Sequence, residues 1–121
     1  KRPRSSMAPT LVFDNSDKLH MAVGSPGGPY IIGFVAKTLI AALDWKMDMQ
    51  AAIDSPNFVS RNGPTEIEKG SGLEKLVGPL RALGHDVRTS DMGSGVHGIV
   101  RVKDGWQGGA DSRRDGIARG R

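Results

Sequence analysis

The sequence predicts an α+β layered domain with a mainly antiparallel sheet. Three observations carry that prediction. Short β-rich runs occur in neighbouring pairs joined by polar or glycine turns. One long apolar segment, residues 30–45, repeats at helical spacing along more than one face. No regular strand–helix alternation and no internal repeat runs through the 121 residues, a length that suits one domain with a real core.

Taken in order, "TLVFD" (10–14) and "LHMAV" (19–23) flank the polar turn "NSDK" and predict a hairpin. "GSPGGP" (24–29) follows, with two glycines between two prolines. In "YIIGFVAKTLIAALDW", Ile31, Val35, Leu39 and Ala42 form one stripe, and Ile32, Ala36, Ile40 and Leu43 form a second. Such a helix should be buried on several sides. It contains Lys37 and Asp44 and is too short to span a bilayer. "DMQAAID" predicts a short helix stopped by Pro56. "NFVSRNGPTEIEKG" reads as two strand fragments around an Asn-Gly-Pro turn.

The strongest helix signal is "SGLEKLVGPLRALGH". Ser71 and Glu74 are spaced as a capping box, and Leu73, Leu76, Val77, Leu80 and Leu83 share a face. Gly84 is a natural stop, while Pro79 predicts a kink or restart. "DVRTS", "GIVRVKDG" and "WQGGAD" are strand-like pieces with glycine turns between them. The expected organisation is one domain over residues 1–112 and a basic, mobile tail over 113–121.

A net charge of +4 suggests nucleic acid until its location is considered. Seven basic residues lie in the end segments: Lys1, Arg2, Arg4, Arg113, Arg114, Arg119 and Arg121. Residues 5–112 hold ten basic and twelve acidic residues, so the body is near −2. A nucleic-acid surface should instead be clustered on folded elements with aromatics among the charges, so that partner is not expected. With no cysteine, disulfides and thiolate chemistry are excluded. His20, His85 and His97 fit no metal spacing, so neither metal nor cofactor is expected. His97 reads as a turn histidine bonded to backbone, and Asp44 with Asp48 as a solvated helix face.

The glycine turn has its own physical logic. Gly27 and Gly28 can take positive φ and present successive N–H groups at the start of a helix. That arrangement suits a phosphate, a carboxylate or the oxyanion of a tetrahedral intermediate. It lacks the lysine of a Walker loop and the spacing of a dinucleotide fingerprint. An empty strand-to-helix turn explains it equally. Adjacent serines in "RSSMAPT" are a second candidate, able to hydrogen-bond a carboxylate or amine, or simply to face solvent.

Together these segments resemble the γ-glutamyltranspeptidase family, in the C-terminal part of its small subunit. The likeness rests on "KRPRSSMAPTLVF" and "GSPGG" in that order and spacing. It continues through "AAIDSPNF", "EIEKG", "ALGHDV", "MGSGVHGI" and "GGADSRRDG", across essentially the whole chain. The resemblance implies part of an N-terminal-nucleophile hydrolase fold, a four-layer αββα sandwich. It also implies transfer of a γ-glutamyl group, from glutathione or another γ-glutamyl amide, to water or an amino acid or peptide. By the same resemblance Gly27 and Gly28 form the oxyanion hole, Ser5 and Ser6 hold the glutamyl α-carboxylate, and Met7 lines the pocket wall.

The family's threonine nucleophile belongs upstream of "RPxSSM", and no threonine here has that context. A chain opening "KRPR" without Met is therefore expected to be a piece of an autoprocessed precursor, inactive alone. Its partners would be the remainder of the small subunit and the large subunit. A partial sandwich is also expected to self-associate through open edges. The resemblance implies a periplasmic or secreted parent. Alternatives of the same fold are an acylase-like amidohydrolase and a non-catalytic assembly domain.

Overall fold

The computed structural model describes residues 4–120. Lys1, Arg2 and Pro3, which begin the "KRPRSSM" motif, and Arg121 of the expected tail lie outside the described residues. Seven strands and three α-helices follow in the order β1 (Thr10–Phe13), β2 (Leu19–Gly24), α1 (Ile31–Leu43), α2 (Met49–Asp54), β3 (Phe58–Ser60), β4 (Thr65–Glu68), α3 (Val77–Ala82), β5 (Val87–Ser90), β6 (His97–Val102) and β7 (Gly105–Ala110). Single 3-10 turns, Gly28–Tyr30 and Leu73–Leu76, lead into α1 and α3.

The main sheet has the order β1-β2-β6-β7 and is antiparallel throughout. Asp14 closes the β1–β2 turn by accepting the N–H groups of Ser16 and Lys18 (2.8 and 3.0 Å). Met21 and Val23 of β2 face inward with Val12 and Val100, and α1 and α2 close over them with Ile31, Phe34, Val35, Met49 and Ile53. The opposite face of the same strands carries Leu11, Phe13, Ile99 and Trp106, all exposed. One apolar face is thus covered and the other is open.

A smaller sheet, β3-β4-β5, pairs β3 and β4 antiparallel but β4 and β5 parallel. A single βαβ unit, β4, α3 and β5, thus stands within an otherwise antiparallel arrangement without regular strand–helix alternation. Its helix carries the strongest start signal, and the restart expected around Pro79 is present: the segment opens as a 3-10 turn and becomes α only at Val77. The break falls before Pro79, which then sits in the first turn of α3, where no intrahelical N–H bond is required. The capping box is displaced by one residue: Glu74 accepts the N–H of Gly70 (2.7 Å), and the left-handed Gly72 (φ 78°) occupies the cap. None of the apolar residues on this segment is buried.

Helix α1 is also corrected in part. Ile31, Phe34, Val35, Thr38 and Ala41 are buried, whereas Ile32 and Ile40 of the second stripe are 59% and 44% exposed. The chain buries one side of α1 and leaves the other open. The remaining elements lie where the sequence placed them, including α2, which Asp48 caps through Ala51 N–H (2.9 Å).

Candidate active site

The "GSPGG" turn joins β2 to α1 and is shaped by its two glycines. Gly27 has φ 137°, and a Cβ there would lie 2.8 Å from the ring of Phe34. Gly28 has φ 58°, the left-handed region that favours glycine. Pro29 follows in the first positions of the 3-10 turn, where its missing N–H costs nothing. Ser6 then grips the turn from outside: its N–H and its Oγ both donate to Gly28 O at 3.2 Å. The two sequence candidates, 22 residues apart, therefore meet. Among the described residues, neither the Gly27 nor the Gly28 N–H donates to a protein acceptor.

These glycines line a cleft of about 470 Å³ together with Pro26, Tyr30, Phe34, Asp91, Met92, Gly93 and Arg114. The cleft sits at the N-terminal end of the 3-10 turn and α1, where the helix dipole adds positive potential. Ser5 is exposed and Met7 is 82% exposed, and neither they nor Ser6 line this cleft. A larger hollow of about 800 Å³ lies over the open sheet face, bordered by Leu11, Ala22, Ile99, Trp106 and Ile117. Its walls are mainly apolar.

Behind the turn lies a buried polar strut that the sequence reading missed. Gly95 packs directly on Pro26, and its N–H donates to Ser25 Oγ (3.4 Å). The Gly93–Gly95 loop is itself anchored by Ser94, whose Oγ donates to Asp111 Oδ2 (2.6 Å) and accepts from Asn57 Nδ2 (2.9 Å). Val96 N–H donates to the same Asp111 oxygen (3.1 Å). Asp111, Ser94 and Asn57 are all fully buried.

Arg113 closes the network, donating to Asp111 Oδ1 (3.2 Å), to Glu68 Oε2 (2.9 Å) and, through Nε, to Glu68 Oε1. It also reaches the carbonyls of Asp54 and Ser55 at the end of α2. Lys37 arrives there from α1 and donates to the carbonyls of Ala52, Ile53 and Ser55 (3.1, 2.8 and 2.9 Å). Two cations thus satisfy the orphan carbonyls of one helix C-terminus. At the start of the expected tail, Arg113 is half-buried in the core network, and Arg114 bonds the Gly93 carbonyl.

Electrostatics follow from these bonds. Burial opposes ionisation of Asp111, but donation from Ser94, from the Arg113 and Val96 N–H groups and from the guanidinium outweighs it and holds the carboxyl below its ordinary range. Burial, helped by the charge of Arg113, pushes Lys37 down to about 8, against the pull of Asp111, Glu68 and Asp54. Burial raises Glu66, but bonds from Tyr30, Arg61 and Ser90 prevail and leave it below the usual carboxylate range. His97 Nδ1 lies 3.1 Å from Gly95 O, the backbone bond expected of it. No group of three or more metal-ligating side chains converges among the described residues.

The sequence model of γ-glutamyltranspeptidase matches residues 1–120. The chain belongs to the γ-glutamyltranspeptidase family. It is 36% identical to the glutathione hydrolase proenzyme of Bacillus subtilis over 99% of its own length, but over only 21% of that relative. The chain therefore spans about a fifth of the curated relatives of this kind. Among solved structures, a γ-glutamyltranspeptidase from Helicobacter pylori superposes with a TM-score of 0.83 at 31% identity, covering 94% of this chain and 64% of the other. The Bacillus anthracis transpeptidase CapD shares the fold at a TM-score of 0.79 and 23% identity, over 100% of this chain and 74% of its own. The α+β arrangement is thus the γ-glutamyltranspeptidase fold.

The family segments "MGSGVHG" and "GGADSRRDG" hold the strut, but spacing alone could not reveal it. Ser94 and Asp111 are 17 residues apart and meet only because β6 and β7 pair. Lys37 offered a local signal: a lone cation inside an apolar helix stripe must find buried acceptors.

Proposed function

We propose that residues 1–121 supply half of an acyl-transfer site acting on γ-glutamyl amides such as glutathione. In this reading Gly27 and Gly28 hold the oxyanion, Ser5 and Ser6 bind the glutamyl α-carboxylate, and Met7 borders it. The observation that carries it is the clasp of Ser6 on Gly28 O beside two N–H groups without a protein acceptor. Family membership supplies the substrate class, since the Bacillus subtilis relative is a glutathione hydrolase.

A nucleophilic hydroxyl from outside this chain attacks the γ-carbonyl carbon. The oxygen takes the electron pair and negative charge, and backbone donors stabilise it as it forms. Collapse breaks the C–N bond, the leaving amine takes the proton, and an ester remains. Water or an amine then attacks that ester and returns the hydroxyl. The rest of the protein also covers the open face of the main sheet; the chain alone self-associates there, as sedimentation at low micromolar concentration would show.

The test uses a chromogenic γ-glutamyl anilide. The full-length protein turns it over, Gly27→Pro in that protein abolishes turnover, and residues 1–121 alone give none. Turnover by the isolated chain that Gly27→Pro abolishes would overturn the division of the site.

A further inference from the structure

The aromatic wall of the cleft is tied to a polar cluster that lies outside it. Tyr30 and Phe34 line the cleft, whereas Arg61, Glu66 and Ser90 do not. The Tyr30 hydroxyl donates to the Glu66 carboxylate, whose oxygens lie 3.0 and 2.9 Å away, and accepts from Arg61 Nη2 at 3.1 Å. The Arg61 guanidinium also sits 4.4 Å over the centre of the Tyr30 ring. Ser90 Oγ donates to Glu66 Oε2 (3.2 Å), so the carboxylate is itself held from β5. The phenol is thus fixed by the β3-β4-β5 sheet, although it belongs to the turn that leads into α1.

This clamp reaches the glycine donors by two routes. Tyr30 N–H donates to Gly27 O at 3.1 Å. In a planar trans peptide the N–H points opposite to the C=O, so the bond to Gly27 O sets the direction of the Gly28 N–H. The second route is the ring. Tyr30 stacks on Phe34 with centroids 6.1 Å apart and planes 15° from parallel, and Phe34 is the ring that lies against Gly27. Drift at residue 30 would therefore turn the Gly28 N–H and loosen Phe34 behind the turn. A donor kept free for an oxyanion must be aimed beforehand, by bonds its neighbours make.

We propose that Tyr30, clamped by Glu66, is a positioning residue that aims the Gly28 N–H at the developing oxyanion. Its hydroxyl is occupied by Glu66 and Arg61, so it acts through the turn and not on the reacting atoms. This assignment rests on the acyl-transfer reading.

The test measures kcat and KM of the full-length protein with a chromogenic γ-glutamyl anilide. Tyr30→Phe keeps the ring and loses the bond to Glu66. Its kcat falls about tenfold while KM stays within about twofold, because the misaimed donor serves the transition state and not the bound substrate. Glu66→Ala gives the same fall, and the double variant falls no further than either single one, as for two members of one interaction. Glu66→Gln keeps an acceptor for the phenol and recovers most of kcat. If Glu66→Ala does not fold, Tyr30→Phe and Glu66→Gln decide the matter. An unchanged kcat in Tyr30→Phe, even with a lowered melting temperature, overturns the assignment. So does a Glu66→Gln variant as slow as Tyr30→Phe. Failure of the unsubstituted protein to turn over the anilide overturns the acyl-transfer reading instead, and this role with it.

Discussion

Two neighbouring regions keep their polar groups in opposite states. Around Asp111 the carboxylate, the guanidinium of Arg113 and the hydroxyl of Ser94 are all bonded within the protein. At the turn, under the Pro26–Gly95 contact, two backbone N–H groups are left without a protein acceptor among the described residues. The difference shows how a glycine turn can keep open donors and still hold its shape. Its rigidity comes from Phe34 and the Gly93–Gly95 loop behind it, not from bonds to the donors themselves.

The comparison breaks most severely if the strut is cut. Asp111→Ala leaves Arg113, Ser94 and Val96 N–H facing a void, and thermal unfolding should register a loss of about 3–5 kcal/mol, the scale for breaking a buried ionic network. A loss below about 1 kcal/mol would mean that the strut bears little on folding. Gly27→Ala reverses the emphasis. The new methyl meets Phe34, and turnover of a γ-glutamyl anilide by the full-length protein should fall about 10²–10³-fold, as for a lost oxyanion donor. Its stability should fall by only about 1–2 kcal/mol. Equal damage to folding and turnover would erase the distinction between the regions.

A smaller effect is expected from Ser94→Ala, about 1–2 kcal/mol, because Val96 N–H still serves Asp111 while Asn57 loses its acceptor. Acid sharpens the same point. Asp111 has a depressed folded pKa, so its stabilisation is complete above its ordinary value of 3.8 and is lost as pH falls through the lower folded value. Asp111→Asn should flatten that part of an acid-unfolding curve followed by circular dichroism. The smallest effect is expected at Leu83, which is 78% exposed; Leu83→Ser should change stability by no more than about 0.5 kcal/mol.

The helices show which features were legible in the sequence. The segment leading into α3 carries the clearest start and stop signals, yet no residue of it is buried. Helix α1 has no side-chain cap and a glycine at position 33, yet it supplies three of the ten buried residues of the core cluster. Capping residues report where a helix begins; burial depends on which surface arrives opposite. The outward stripe of Ile32, Ala36 and Ile40 was read as core because periodicity cannot tell whether a partner layer lies within the same chain.

Besides the family, the sequence by itself determined the local pieces: the β1–β2 hairpin, the glycine turn and the helix behind it. These rest on residues a few positions apart, whose turn chemistry and spacing act before any tertiary contact. Only the tertiary structure decided that β2 lies beside β6, that β4 and β5 run parallel, and that Asp111 supports the turn through Ser94. Such contacts join residues up to 79 positions apart, as Met21 and Val100 are. Their stability comes from surfaces meeting and water leaving, which no short stretch of the chain encodes on its own.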